Sequence, residues 1–276
     1  MSVQALCGMV RDPWQMFQTW TNIYKAFIQQ AIFNPEPFYI LVSTAGRLAY
    51  RIGLHRKLDD FGMSPSEMDT RRNVLWIVYV LDKSLSLRIG HPSIIVDDDI
   101  GVDLPPEASP HDKCPDGTKK FNIFRYIVQL AQLESRTFSE LYSIRSRNKS
   151  AVERLKSVSQ LDMALQKWRE ALPIEIWPGE DIHCSEEQLM PVVMMHFTYW
   201  NCHTTIHRIY IHHSSWKNDC QNQAESIIHD QDLDNRVEAS EAICLTVARN
   251  SIKLLRYFEG DGNSLLDHMI LLVPFN

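Results

Sequence analysis

Apolar residues recur every three or four positions along almost the whole chain, and polar residues fill the positions between them. This spacing marks one face of an α-helix, whereas a half-buried strand would alternate every second position. Glycine is scarce, with 10 residues in 276, so the many tight turns of an all-β protein are not expected. The pattern predicts helices over residues 13–33, 37–55, 65–89, 121–145, 151–171, 186–213 and 236–258.

The third of these helices carries the clearest signals for its two ends. Ser64 and Glu67 form the Ser-x-x-Glu pattern of a capping box, and Pro65 suits the first helical position. Gly90 can take the left-handed conformation that ends a helix, and Pro92 cannot continue one. A helix that begins after Ser64 and ends at about residue 89 is therefore predicted.

Two stretches lack the helical pattern and are predicted to be loops. Residues 97–119 hold three consecutive aspartates, several prolines and two glycines, and residues 214–235 are mostly polar. We therefore expect an all-α protein, a single large multi-helix bundle over residues 1–276. Residues 97–119 form its internal polar loop, which is either a domain boundary or a segment that crosses the surface of one domain.

Composition fits a globular protein with a sizeable core, since 45% of residues are hydrophobic and 22% are charged. The net charge of -6 gives no overall basic character, so the chain itself is not expected to follow nucleic-acid phosphates. The six cysteines are widely and irregularly spaced, without a Cys-x-x-Cys pair, which disfavours a disulfide scaffold or a zinc ribbon. No window of about 18 to 20 apolar residues is present, so no membrane span is expected.

A group of histidines in the sixth predicted helix is a candidate metal site. His203 and His207 are four residues apart and share a helix face, His196 lies close to that face, and Cys202 is adjacent in sequence. Zinc proteases use the same spacing but place a glutamate directly after the first histidine, where this chain has Thr204. We interpret the histidines as a hydrogen-bonded face of a packed helix and expect no metal. A metal-dependent helical enzyme is the alternative.

Asp97, Asp98 and Asp99 are the second candidate for chemistry. Helical terpene cyclases bind magnesium through an Asp-Asp-x-x-Asp motif in a helix wall, but here the run lies in a predicted loop without the last aspartate. Loop carboxylates that accept hydrogen bonds from nearby amides are the preferred interpretation. An acid-dependent enzyme at this loop is the alternative, and we expect no catalytic residues.

Asp82 lies four residues after Val78 on the apolar face of its helix, so it borders or enters the core. A carboxylate there needs a cation or several amides as partners. Candidate cations are Arg56, Arg71 and Arg72. We expect an ion-pair network that fixes the order of the helices, and a site for a polar ligand is the alternative.

These motifs occur in an order that resembles the middle regulatory region of fungal binuclear zinc-cluster transcription factors. We call the residues that carry the resemblance the signature residues. They are Gly53, Leu54, His55, Arg56, Arg71, Arg72, Trp76, Asp82, Gly90 and Pro92. The chain departs from the family pattern at His91, where arginine is usual, and at Lys83, where arginine is more frequent.

The resemblance implies a helical regulatory domain that controls transcription in the nucleus and is not an enzyme. The implied partners are a small-molecule effector, other transcription-factor subunits or co-regulators. Members of the family contact DNA through a module of six cysteines that holds two zinc ions. No such cluster occurs in this sequence, so neither that cofactor nor DNA contact is expected within these residues. We expect a regulatory domain truncated at both ends, and an inert or dominant-negative regulator is a further alternative.

Overall fold

A computed structural model describes residues 35–57, 64–108, 121–211 and 230–258. Within these ranges the regular elements are helices and no strand is present, which confirms the predicted all-α class. The predicted helix over residues 13–33 lies outside the described residues. The α-helices are α1 (Pro35–Arg51), α2 (Pro65–Ile89), α3 (Ile123–Thr137), α4 (Ala151–Ala171), α5 (Glu186–Ile211) and α6 (Asp230–Lys253).

The local signals at the ends of α2 act as predicted. The Ser64 hydroxyl accepts a hydrogen bond from the Glu67 amide, and the Glu67 carboxylate accepts one from the Ser64 amide. Gly90 has φ 73°, and its amide donates to the Ser86 carbonyl. A similar capping box, formed by Ser150 and Glu153, begins α4. Both helices therefore have their first free amides satisfied by side chains.

The predicted helix over residues 121–145 is shorter than expected. It begins after Asn122, whose side chain accepts a hydrogen bond from the Arg125 amide, and α3 ends at Thr137. A π-helical turn (Phe138–Tyr142) and a 3₁₀ turn (Arg145–Asn148) follow. Ser143 lies between them, and its hydroxyl accepts from the Ser146 amide. Serine side chains that bond to nearby backbone compete with a continuing helix, which explains the break.

Helix α6 begins at Asp230, so the prediction of a loop up to residue 235 is wrong for residues 230–235. Polar composition alone does not exclude a helix, and periodicity is a weak guide where few residues are apolar. The remainder of that loop prediction, residues 214–229, lies outside the described residues. A 3₁₀ turn (Leu254–Phe258) follows α6.

The core lies between α2, α3 and α5. Helix α2 packs against α1 and α3, and α5 packs against α3, α4 and α6. The largest fully buried side chains include Tyr79, Leu130 and Met195, one from each of the three central helices. In the described ranges, no helix combines the length and the hydropathy that crossing a membrane requires.

Candidate functional site

The segment after α2 folds back against α2 and α3, and polar side chains hold it there. Asp82 anchors it, since its carboxylate accepts hydrogen bonds from the amides of Ile94 (3.0 Å) and Ile95 (2.8 Å). Burial raises the pKa of Asp82, and the two amide hydrogen bonds oppose that rise. The prediction that Arg56, Arg71 or Arg72 would pair with this carboxylate is wrong, because backbone amides take that place.

Lys83 and Tyr79 belong to the same network, and the sequence interpretation did not include them. The Lys83 ammonium is buried and donates to the Ser93 hydroxyl (2.9 Å) and the Ile95 carbonyl (2.5 Å). Tyr79 donates to the Asp97 carboxylate (2.6 Å), and burial raises the pKa of its phenol. Residues 82 and 83 follow residue 79 by three and four positions, so all three lie on one face of the helix. That spacing could have indicated from the sequence that they belong to one network.

The acidic turn (Asp97–Asp99) is a short 3₁₀ helix. The Asp97 carboxylate also accepts from the Ser135 hydroxyl on α3 (2.5 Å) and lies 3.2 Å from the Lys83 ammonium. Asp99 accepts from the Tyr50 hydroxyl at 3.4 Å. Asp97 and Asp99 therefore bind side chains rather than the backbone amides predicted for the acidic run. In the described ranges they do not form a group of three ligands around one point.

The arginines of α2 have separate partners. Arg71 donates to the carbonyls of Ile52 (3.1 Å) and Gly53 (3.2 Å), which ties the end of α1 to α2. Arg72 pairs with Asp69 at 2.7 Å, but its Nε is buried without a hydrogen-bond partner. Arg56, the third predicted partner, donates to the neighbouring His55 ring at 3.4 Å, so none of the three arginines pairs with Asp82.

A groove of about 180 Å³ lies beside these arginines. Four basic and two acidic side chains contribute to its lining, so its local charge is positive. The lining residues are Leu54, Arg56, Lys57, Pro65, Met68, Asp69, Arg71, Arg72, Val102 and Asp103. Four signature residues, from two different segments, thus meet at one surface depression. We call it the signature groove.

The remaining signature residues fix the backbone, some of them beside the groove and others at the far end of α2. Gly53 has φ 69°, a left-handed conformation that ends α1, and the His55 carbonyl accepts from the Gly101 amide at 2.9 Å. The Trp76 indole donates to the Asp103 carbonyl at 2.9 Å. Gly90 ends α2, and the exposed Pro92 follows it.

Trp76→Phe should destabilise the protein by about 1 kcal/mol more than Trp200→Phe does. Both tryptophans are buried, but only the Trp76 indole nitrogen has a hydrogen-bond partner, whereas that of Trp200 has none. The difference between the two variants in urea-induced unfolding isolates the bond to Asp103. Equal losses would show that this bond does not stabilise the groove wall.

The histidines of α5 divide into two environments. His196 is fully buried and its Nε2 lies 2.8 Å from the Ile176 carbonyl; burial lowers its pKa to about 4. Cys202 is also buried, and its thiol faces Thr137 at 3.7 Å. Neither joins His203 and His207. His196 fits the predicted hydrogen-bonded histidine of a packed helix.

His203 and His207 instead meet Asp162 of α4. Each histidine Nε2 lies 3.3 Å from the same Asp162 Oδ1. Hydrogen bonds from the two histidines hold the pKa of Asp162 well below its usual range. The sequence offered no carboxylate in the histidine run, and the tertiary fold supplies one from another helix.

Comparison with known proteins gives a consistent picture. Residues 16–170 match the family model described as the fungal specific transcription factor domain. Two Aspergillus relatives are each named "ABC-transporter-regulating transcription factor". The one from Aspergillus oryzae is 38% identical over 93% of this chain, and the one from Aspergillus fumigatus is 37% identical over 95%.

A more distant relative is "Activator of stress genes 1" of Saccharomyces cerevisiae, which is 25% identical over 79% of this chain. The aligned region is 22% of that relative's length. The chain spans 28% of the length of each Aspergillus relative. No solved structure matches.

Proposed function

The chain belongs to the fungal specific transcription factor domain family, and we propose that it is the regulatory region of a nuclear transcription factor. The observation that carries this proposal is the alignment of the Aspergillus relatives over more than nine tenths of the chain. The family match also contains every signature residue. In this proposal DNA is contacted by residues outside the chain, and co-regulators or other transcription-factor subunits contact the bundle. The relatives are named as transcription factors, which favours this function over a helical enzyme.

The regulated genes are proposed to include those of ABC transporters. The support is the printed name that the two Aspergillus relatives share. Deletion of the gene that encodes this chain should lower or raise ABC-transporter transcripts, measured by RNA sequencing with and without exposure to toxic compounds. Re-introduction of the intact gene should restore them. Transcripts that stay unchanged under both conditions would contradict the assignment of these target genes.

A fusion tests the regulatory role independently of the target genes. The full chain is joined to a heterologous DNA-binding module, and transcription of a reporter carrying that module's site is measured. We expect a change relative to the module alone. His91→Gln is the control variant, because His91 is exposed and lies outside the groove. A fusion with this substitution should change reporter transcription as much as the parent fusion does. A fusion that is folded and nuclear but leaves the reporter at the level of the module alone would contradict the proposal.

Within this role the signature groove is the proposed effector site. Its positive charge and the buried, unpartnered Nε of Arg72 favour an anionic group, because a guanidinium donates well to carboxylate or phosphate. The volume of about 180 Å³ is below the range for drug-sized ligands, so the group is a small one. An effector that binds one packing of α1 and α2 better than another would shift the balance between them.

Thermal unfolding with benzoate or inorganic phosphate tests this assignment. A ligand that binds only the folded protein raises the melting temperature as its concentration rises. Arg72→Gln should remove the rise. Arg136→Gln should keep it, because Arg136 is an exposed arginine of α3 that pairs with Glu140 of the following turn. If both variants respond like the parent protein, the anion binds elsewhere.

A further inference from the structure

Two helices bring three metal-binding side chains to one point. His203 and His207 lie on the same face of α5, one turn apart, and their rings meet edge to face with centroids 5.1 Å apart. Asp162 approaches from α4. One possible ligand atom from each residue lies within 4.8 Å of the others, and in the described ranges this is the one group of three such side chains that meets that limit.

The distances between the three side chains also suit coordination of one metal ion, since they are long for charge-assisted hydrogen bonds. Both histidine Nε2 atoms lie 3.3 Å from a single carboxylate oxygen. Charge-assisted N–H···O bonds are usually about 2.7 to 2.9 Å long. Two ligand atoms bound at about 2.0 to 2.1 Å to a tetrahedral zinc ion lie about 3.3 Å apart. The two nitrogen-to-oxygen separations therefore match two edges of a zinc tetrahedron.

The surroundings supply the support that a metal site needs. The Nδ1 of His207 lies 3.1 Å from the hydroxyl of the buried Ser240 on α6, so Nδ1–H can donate there while Nε2 faces the metal position. The His203 ring stacks on Trp200, with centroids 6.2 Å apart, and its Nδ1 is buried without a partner. Packing therefore orients one ring and a hydrogen bond orients the other.

We propose that Asp162, His203 and His207 bind a divalent transition metal, with Zn²⁺ as the expected ion. Two imidazoles and one carboxylate suit zinc and its neighbours, whereas magnesium and calcium prefer an all-oxygen shell. The Asp162 side chain is 43% exposed and that of His207 is 8% exposed, so the site opens toward solvent on the aspartate side. Water can take the fourth position there. The ion joins α4 to α5, and through Ser240 it holds α6.

Metal titration of the full purified chain tests this site. After treatment with a chelator, Zn²⁺ binding is followed by calorimetry, and Co²⁺ is added separately to record its visible absorption. The chain should bind one zinc ion tightly, and this binding should require Asp162. Bound Co²⁺ should give the intense absorption band of a tetrahedral site. Ser240→Ala should weaken binding by about 10-fold, as loss of an outer-shell partner does.

Matched variants separate this site from other ligands in the chain. Asp162→Asn and His203→Gln should each weaken zinc binding by more than the roughly 100-fold upper limit for an outer-shell partner. His91→Gln, at an exposed position of another segment, should leave the affinity unchanged. Circular dichroism of the metal-free variants checks that they fold.

The proposal is overturned if zinc binds Asp162→Asn and His203→Gln as tightly as it binds the parent chain, or if it does not bind the parent chain. An octahedral Co²⁺ spectrum at saturation also overturns it, and this result does not depend on any variant folding. None of these outcomes bears on the regulatory role, which the reporter fusion tests separately.

Discussion

Glu134→Gln should change how stability depends on pH, and the variant should gain about 3 kcal/mol relative to the parent protein between pH 4.5 and pH 7. Glu134 is buried in α3, where its Oε2 accepts from the Ser84 hydroxyl and its Oε1 has no hydrogen-bond partner. Burial raises its pKa from the ordinary value of 4.5 to about 7, and the Ser84 bond and the charge of Arg88 limit the rise.

The sign of this effect follows from the raised pKa. Between pH 4.5 and about 7 the folded protein holds a proton on Glu134 that the unfolded chain has released. Its contribution to stability is therefore fully present below pH 4.5, falls as pH rises, and is lost above about pH 7. Glutamine does not titrate, so the difference between the two proteins isolates this one group.

Urea-induced unfolding of both proteins at several pH values measures that difference. Glu153→Gln is the contrasting control, because hydrogen bonds from Ser150 lower the pKa of Glu153 at the start of α4. The stability that Glu153 contributes is present above pH 4.5 and is lost as pH falls, so this variant should show a pH dependence of opposite sign. A constant difference between Glu134→Gln and the parent protein would show that Glu134 titrates normally.

Asp82→Ala should destabilise the protein by about 3 kcal/mol. The substitution leaves the amides of Ile94 and Ile95 without their acceptor, and the second of these residues is fully buried. It also removes a negative charge beside the buried ammonium of Lys83. Both losses affect the segment that joins α2 to the acidic turn.

Asp98→Ala is the matched control for this substitution. Asp98 lies in the acidic turn and is exposed, so its replacement should change stability by no more than about 0.5 kcal/mol. Chemical unfolding of both variants gives the comparison. If the two losses are similar, the carboxylate of Asp82 does not hold the segment after α2. Asp82→Asn keeps one side-chain oxygen as an acceptor, so its loss of stability should lie between those of Asp82→Ala and Asp98→Ala.

The sequence predicted best those features that depend on neighbours along the chain. The capping box of Ser64 and Glu67 and the left-handed Gly90 are local, and both ends of α2 were predicted correctly. The π-helical turn after Thr137 was not predicted, because residues 121–145 keep enough apolar positions for a continuous helix. The early start of α6 was missed for the opposite reason, since its first residues are polar.

The candidate sites show the same division between local and tertiary information. That Asp82 needs buried partners followed from its place on an apolar face, but its choice of amides over arginines depends on how the chain turns after Gly90. His203 and His207 were visible as a pair in the sequence. The approach of Asp162 was not, because helical spacing does not say which face of α4 meets α5.

The acidic turn and the wall of the signature groove lie on one short segment whose two ends are anchored in different places. Asp97 holds the first end through Tyr79 on α2 and Ser135 on α3, and Asp103 holds the other through the Trp76 indole. A displacement of the groove wall at Asp103 would pull on α2 through Trp76. The same short segment reaches α3 through Asp97 and Ser135, so it links the surface groove to two of the central helices.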